Sequence, residues 1–455
     1  MQEYDDTIVA LATPNAVGAI GIIRLSGKEA IQIVNRLFKG KDLEKQKTHS
    51  IHFGHLVKNE EIIDEVLVSL FLAPNSYTKE NVAEISCHGS PYIINTILST
   101  LIEEGARMAK HGEFTQRAFL NGRFDLAQAE AVADLIASES KAAHKVALQQ
   151  MRGGITNKLA ELRNNLVEFT ALLELELDFG EEDVEFANRE KLVELLQHIK
   201  NEISRLMQSF RLGNAIKTGV PVAIVGKPNA GKSTLLNVLL QEDRAIVSDI
   251  AGTTRDTIEE KITIDGILFR FIDTAGLRET ADVIEKIGVE RSKASIQNAQ
   301  IVLYLYDSNT ESLDDVLEVL KEIPLDKSVI VVRNKQDISK KADKEIHIPY
   351  DWISISAKEN ISIDALKNLL LKNVINETAT QQDAVIISNQ RHFEALQHSA
   401  LAIENVLSAI NQQISSDFIS QDLKVALRHL GSITGNIDVD KDILATIFGK
   451  FCIGK

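Results

Sequence analysis

Gly226-Lys227-Pro228-Asn229-Ala230-Gly231-Lys232-Ser233 fits G-x-x-x-x-G-K-S and directly follows the β-type run Val222–Val225. In that setting glycines let backbone amides wrap phosphates, the lysine reaches the outer phosphates and the serine can ligate Mg2+. Ala230, Gly231, Lys232, Ser233 and Thr234 are therefore the expected phosphate contacts, with a helix starting near Ser233. Three later segments make the reading specific. Asp273-Thr274-Ala275-Gly276 ends a strand 47 residues after Gly226, where Asp273 can hold the Mg2+ shell through water and the Gly276 amide can meet a γ-phosphate. Asn334-Lys335-Gln336-Asp337 follows the strand Ser328–Val332, and a carboxylate there accepts two hydrogen bonds from guanine but none from adenine. A polar site left unpaired costs on the order of 10⁴-fold in selectivity. Ser356-Ala357-Lys358, after the last strand, would pack around the base. Four motifs in order, each at a strand end, imply a guanine-nucleotide domain that binds GTP.

The source of catalysis is less plain. Leu277 stands where many small GTPases place a water-orienting glutamine, and a leucine can neither orient water nor carry charge. The nearby candidates are Arg278, Glu279, Asp282, Glu285 and Lys286. In Ser248-Asp249-Ile250-Ala251-Gly252-Thr253-Thr254-Arg255-Asp256, Thr253 or Thr254 suits Mg2+ and γ-phosphate contact. An arginine finger is worth roughly 10³–10⁵ in rate, so some cation should replace it. Asn229 with the carbonyls of residues 248–253 could cage a monovalent one.

Outward from these motifs, residues 217–380 alternate strand and helix, which implies a mainly parallel sheet of Ras-like α/β type. Asp265-Gly266 reads as a two-residue hairpin turn. Helices flank this domain. Leu159, Leu162, Leu166, Phe169 and Leu173 form one apolar stripe, Leu192, Leu196, Ile199, Ile203 and Leu206 a second, and Phe393, Leu396, Ala400, Ile403, Leu407 and Ile410 a third. Residues 1–118 mix short strands with helices near Ala30–Phe38 and Pro91–Glu104, an α+β pattern. The expected organisation is 1–118, a helical part 119–216, an inserted nucleotide domain 217–380, and a second helical part 381–455.

Composition sets bounds on partners. The 455 residues carry 50 Lys plus Arg against 65 Asp plus Glu, a net charge of −15, which argues against a nucleic-acid-coated surface but allows a local basic patch. Arg107, Lys110, Arg117 and Arg123 are the candidates for one, although a partner supplying most phosphate contacts fits the charge better. Two cysteines, Cys87 and Cys452, exclude a disulfide framework. An acidic N-terminus and the lack of an apolar run near ~18 residues point to a cytoplasmic protein without a membrane span. No spacing suggests a zinc site, and Glu181-Glu182-Asp183 with Glu185 reads as a solvated loop. Cys87 and His88, adjacent on a strand, point to opposite faces and make a poor dyad.

The nucleotide motifs with Asn229, Gly252-Thr253-Thr254-Arg255-Asp256 and Leu277, together with the terminal Phe451-Cys452-Ile453-Gly454-Lys455, resemble the MnmE (TrmE) family of tRNA-modification GTPases over essentially the whole chain. Ala12-Thr13-Pro14, Gly21-Ile22-Ile23-Arg24-Leu25-Ser26-Gly27 and Gly112-Glu113-Phe114-Thr115 through Arg123 are similar to that family too. The resemblance implies an N-terminal folate-binding domain that dimerises, a helical domain and an inserted G domain. It further implies a complex with an MnmG-type flavoprotein, a heterotetramer or larger. That complex installs a carboxymethylaminomethyl or aminomethyl group at carbon 5 of the wobble uridine of tRNA. The one-carbon donor would be 5,10-methylene-tetrahydrofolate, with 5-formyl-tetrahydrofolate as another ligand, and K+ would stimulate hydrolysis as two G domains meet. By motif match, Asn229, Ser248, Ile250 and Thr253 would coordinate K+, Ser233 and Thr254 would hold Mg2+, and Glu285 would orient the attacking water. Ser248 replaces a frequent Thr but keeps a ligating oxygen. Arg24, Glu80, Arg123 and Lys455 would line the folate site, where Arg123 stands in for a familiar Lys. Cys452 is either a nucleophile or a packed tail thiol. The rival readings are a GTP-gated interaction module, for example in ribosome assembly, and a folate enzyme that its G domain merely regulates.

Overall fold

A computed structural model of the chain describes residues 6–178, 189–243, 259–272, 294–339, 348–374 and 385–435. Its contacts divide it into two compact units, one of Met1–Ala133, Gln150–Arg163 and Leu427–Lys455, the other of Asp134–Gln149 and Asn164–Ala426.

The first unit is built on β1 (Ile8–Leu11), β2 (Ile20–Ser26), α1 (Ala30–Leu37), β3 (Phe38–Lys39), β4 (Ser50–Lys58), β5 (Glu61–Phe71), β6 (Val82–His88), α2 (Pro91–Glu103), β7 (Arg107–Met108) and α3 (Glu113–Leu120). Among the described residues the strands form one sheet in the order β3-β4-β5-β6-β2-β1-β7. Alternation along the strands decides its two faces. Leu56, Val68, Ile85, Ile23 and Leu25 point one way and pack with Ile33, Val34, Ile97 and Leu101 of α1 and α2. Phe53 and Leu67, directly paired across β4 and β5, point the other way and are exposed, as is Ile51. β1, which lies between β2 and β7, and the end strand β7 carry too few residues to show an alternation, and were not legible beforehand.

Helices α4 (Leu126–Ile136), α5 (Lys141–Met151), α6 (Gly154–Asp178) and α7 (Arg189–Thr218) follow, the last running straight into the second sheet. That sheet contains β8 (Val220–Val225), β9 (Glu260–Ile264), β10 (Ile267–Phe271), β11 (Ile301–Asp307), β12 (Ser328–Asn334) and β13 (Asp351–Ser354). Helices α8 (Lys232–Asp243), α9 (Leu313–Leu320) and α10 (Ile363–Val374) alternate with them. The strand order is β13-β12-β11-β8-β10-β9, parallel except at the β9–β10 hairpin. There Asp265 and Gly266 take φ of 47° and 81°, the left-handed pair that a tight hairpin turn of this kind requires. Two apolar layers, one around Leu235, Leu239 and Leu366 and one around Val316 and Leu320, cover the two faces.

Beyond this sheet come α11 (Gln390–Asn411) and α12 (Ser416–Thr434). The stripes expected on α6 and α7 are buried at Leu159, Leu162, Leu166 and Leu173, and at Leu192, Leu196, Ile199, Ile203 and Leu206. On α11 the buried face is rotated from the expected one: it is His392, Ala395, Leu396, Ser399, Ala402, Ile403, Val406 and Ala409, with Phe393 at its margin stacked on Phe210 of α7. Small Ala and Ser side chains let the helices approach, so the seam ran through residues that a search for large apolar side chains passes over. No helix among the described residues is long and apolar enough to cross a membrane.

Candidate functional site

The phosphate loop leaves β8 at Gly226 and enters α8 at Lys232. Asn229 is left-handed at φ 64° and Gly231 lies at φ 100°. A Cβ on Gly231 would collide with the Asn334 side-chain amide, so the position requires glycine on two counts. Lys232 folds its ammonium onto the Gly226 and Lys227 carbonyl oxygens at 2.7 and 2.9 Å, and burial pushes its pKa down. Its positive charge is thereby held at the mouth of the loop, where phosphate oxygens would compete for it. Lys227 pairs at 3.1 Å with buried Glu311, which also accepts from the Tyr304 hydroxyl at 3.3 Å. Burial and that carboxylate push the Tyr304 hydroxyl up, so it remains a donor.

The base-reading segment is stitched to this loop. Asn334, 3% exposed, donates through Nδ2 to the Ala230 carbonyl at 2.8 Å and accepts the Ala357 amide on Oδ1 at 3.0 Å. One side chain thus joins the first, third and fourth motifs of the sequence. Lys335 is left-handed at φ 62°, and its ammonium pairs at 2.9 Å with Asp307 at the end of β11. Burial works to raise the Asp307 carboxyl, but Lys335 and the Asn309 amide hold it below the usual carboxylate range. Ser356 Oγ donates to Asp337 Oδ1 at 2.6 Å, which fixes the carboxylate and leaves its other oxygen for a ligand. Lys358 is exposed beside this edge. The structure therefore brings together Asn229, Ala230, Gly231, Lys232, Ser233 and Thr234 with Asn334, Lys335, Asp337, Ser356, Ala357 and Lys358. Ser248, Asp249, Ile250, Ala251, Gly252, Thr253, Thr254, Asp273, Thr274, Ala275, Gly276, Arg278, Glu285, Cys452 and Lys455 lie outside the described residues. Sequence patterns missed Glu311 and Tyr304, because neither belongs to a motif.

The first unit holds a cavity of about 560 Å3 whose lining includes Phe71, Tyr77, Lys79, Glu84 and Arg123. Arg123 lies over the rings of Tyr77 and Phe124, 5.1 Å from each centroid, and donates to the Ser76 carbonyl. Arg24 stands at 5.5 Å over Tyr77 and pairs with Glu84 at 2.8 Å across β2 and β6. Glu80 is turned elsewhere: it accepts from Ser26 Oγ at 2.7 Å and from Arg117 at 3.3 Å. Aromatic walls and a cationic rim suit a planar, anionic ligand, so the residues fit a folate. Tyr77 and Glu84 were the missed residues here, although Glu84 faces Arg24 in register.

The alternative of a basic patch from Arg107, Lys110, Arg117 and Arg123 loses two of its four members. Arg117 is wholly buried, with Asp6 at 2.7 Å and Glu113 at 3.1 Å, and Arg107 is bound to the same two carboxylates at 2.7 Å each. Burial opposes ionisation of Glu113 and Asp6, yet the two arginines hold both carboxyls below their ordinary values. These guanidinium groups neutralise internal acids and are not offered to phosphates. Cys87 and His88 point apart as expected: the Cys87 thiol is buried and donates to the Gly21 carbonyl at 3.4 Å, while His88 binds Asp64 at 2.8 Å. Among the described residues no cluster of three His, Cys, Asp or Glu could hold a metal.

Comparison with known proteins decides between kinds of nucleotide-binding chain. The model of the MnmE helical domain matches residues 126–452, and that of the GTP-binding protein TrmE N-terminus matches residues 7–123. The chain belongs to the MnmE family. MnmE family members named tRNA modification GTPase MnmE from Cytophaga hutchinsonii and Flavobacterium johnsoniae are 52% and 51% identical to it. These two comparisons cover 99% of this chain and 98% and 99% of the relatives. The protein of that name from Bacteroides thetaiotaomicron is 52% identical, with 99% of each chain covered. Membership of the MnmE family makes this chain a GTP-binding enzyme of the GTPase class.

Proposed function

We propose that the chain hydrolyses GTP to drive modification of the wobble uridine of tRNA at carbon 5, together with an MnmG-type flavoprotein. The observation that carries this reading is the Asn334 junction, which holds the phosphate loop, the base-reading segment and the Ser356-Ala357-Lys358 turn in one arrangement, inside a chain matched along its length by MnmE relatives. In this reading Asp337 accepts from the guanine edge and Lys232 leaves its carbonyl perch for the phosphates. Ser233 and Thr254 would hold Mg2+, which neutralises charge on the phosphates. Asn229, Ser248, Ile250 and Thr253 would hold K+, supplying the positive charge that an arginine finger supplies elsewhere. Glu285 orients the attacking water, a task that Leu277 cannot perform.

Arg123, Tyr77, Glu84 and Arg24 would hold the folate, which supplies a one-carbon unit; Glu80 is linked to Arg123 through Ser76, which donates to the Glu80 carbonyl and accepts from Arg123. The exposed strip of Ile51, Phe53 and Leu67 shares its sheet face with Glu84, Val82 and Phe71 of the cavity, by strand register. A second copy covering that strip would make the homodimer and stand beside the folate. The boundaries 118/119, 216/217 and 380/381 divide the chain into its folate, helical and G domains. Glycine or ammonium would supply the amine, and the flavoprotein most of the tRNA contacts. The K+ assignment is tested by single-turnover hydrolysis in KCl against NaCl at equal ionic strength. Faster hydrolysis in K+ is expected, and equal rates contradict the cage.

A further inference from the structure

The segment that carries Asp337 leaves β12 at Asn334 and ends at Ser339, where it meets a buried side chain. Arg333, 3% exposed, sits opposite Tyr306 on β11. Its Nε donates to Ser308 Oγ at 3.1 Å and its Nη2 to Ser339 Oγ at 2.5 Å, and the two hydroxyls lie 3.1 Å apart. Ser308 belongs to the turn after β11. That turn is itself fixed, since Asn309 donates to Asp307 through N and Nδ2 at 2.9 and 3.0 Å. Lys335 reaches the same Asp307. The turn is therefore a shelf, and the base-reading segment is fastened to it at its start by Lys335 and at its end through Ser339. A guanidinium suits this task because its rigid planar fork presents donors at fixed separation, which a lysine cannot.

We propose that Arg333 is a positioning residue for guanine selectivity: by tying Ser339 to Ser308 it sets the carboxylate of Asp337 where the N1–H and 2-amino group of the base arrive. The proposal rests on the guanine-nucleotide reading of this site and adds to it a residue that lies outside the N-K-x-D pattern.

The test uses the full chain and equilibrium titration with GDP and IDP. IDP lacks the 2-amino group, so the GDP-to-IDP affinity ratio reads the second hydrogen bond to Asp337. Ser339→Ala removes the hydroxyl leg of the tie. It should weaken GDP about tenfold, the worth of a hydrogen bond to a charged group. IDP should weaken much less, and kcat at saturating GTP should hold while KM rises. Arg333→Met should lose more of the ratio, and Arg333→Lys should recover part of it. A ratio unchanged in both Ser339→Ala and Ser308→Ala overturns the proposal, as does an equal loss for the two nucleotides. Wild type showing no preference for GDP over ADP would overturn the guanine reading itself, and the proposal with it.

Discussion

Replacing Asn334 by alanine removes a side chain that touches both the phosphate loop and the turn at Ala357. The Ala230 carbonyl and the Ala357 amide are left in residues 3% and 1% exposed, where water does not easily replace the lost partner. A buried group deprived of its partner costs about 1–3 kcal/mol, so the nucleotide-free domain should lose roughly 2–6 kcal/mol. If about half of that reappears as the cost of setting both loops for the ligand, GDP affinity falls by ~1–3 kcal/mol, or roughly 5- to 150-fold. Asn334→Asp keeps the shape but turns an acceptor toward the Ala230 carbonyl, so it should be worse than alanine. Titration of a fluorescent GDP analogue, beside thermal unfolding with and without nucleotide, measures both quantities. Affinity within threefold of wild type for both variants, with an unchanged melting temperature, would refute the reasoning that Asn334 joins the motifs.

Two further outcomes follow from the first unit. Phe53 is 63% exposed on a sheet face whose neighbours are Leu67 and Ile51, and the proposed homodimer uses that face, so wild type should sediment as a dimer and Phe53→Glu as a monomer with an unchanged melting temperature; a variant that still dimerises places the interface elsewhere. Burial pushes the Cys87 thiol up from 9.0 to about 11, so the folded state favours the neutral thiol. Its stabilising contribution is complete below pH 9 and is lost as pH rises through about 11; Cys87→Ala should flatten that alkaline limb, and an identical pH profile would contradict the assignment.

Much of this architecture was legible because it rests on local chemistry. The phosphate loop, the Asp265-Gly266 turn and the parallel strands each announce themselves by residues that a backbone geometry or a period demands. What was not legible depends on partners distant in sequence. Arg117 reads as surface charge until Asp6, more than a hundred residues away, closes on it. Glu80 and Glu84 are equally acidic in the sequence, and strand register alone places Glu84 beside the cavity and Arg24. Arg333 carries no motif, and its role depends on two serines on different loops. The rotated seam of α11 has the same cause, since close packing through Ala and Ser is set by the facing helix.

Nucleoside mass spectrometry of bulk tRNA tests whether GTP chemistry in this chain serves the modification of tRNA. Cells lacking the gene should lose carbon-5 aminomethyl-type uridines, and wild type should restore them while Asp337→Ala and Asp273→Asn do not. Nucleosides unchanged by the deletion would contradict the account and favour a GTP-gated interaction module; restoration by both variants would detach the modification from the nucleotide site.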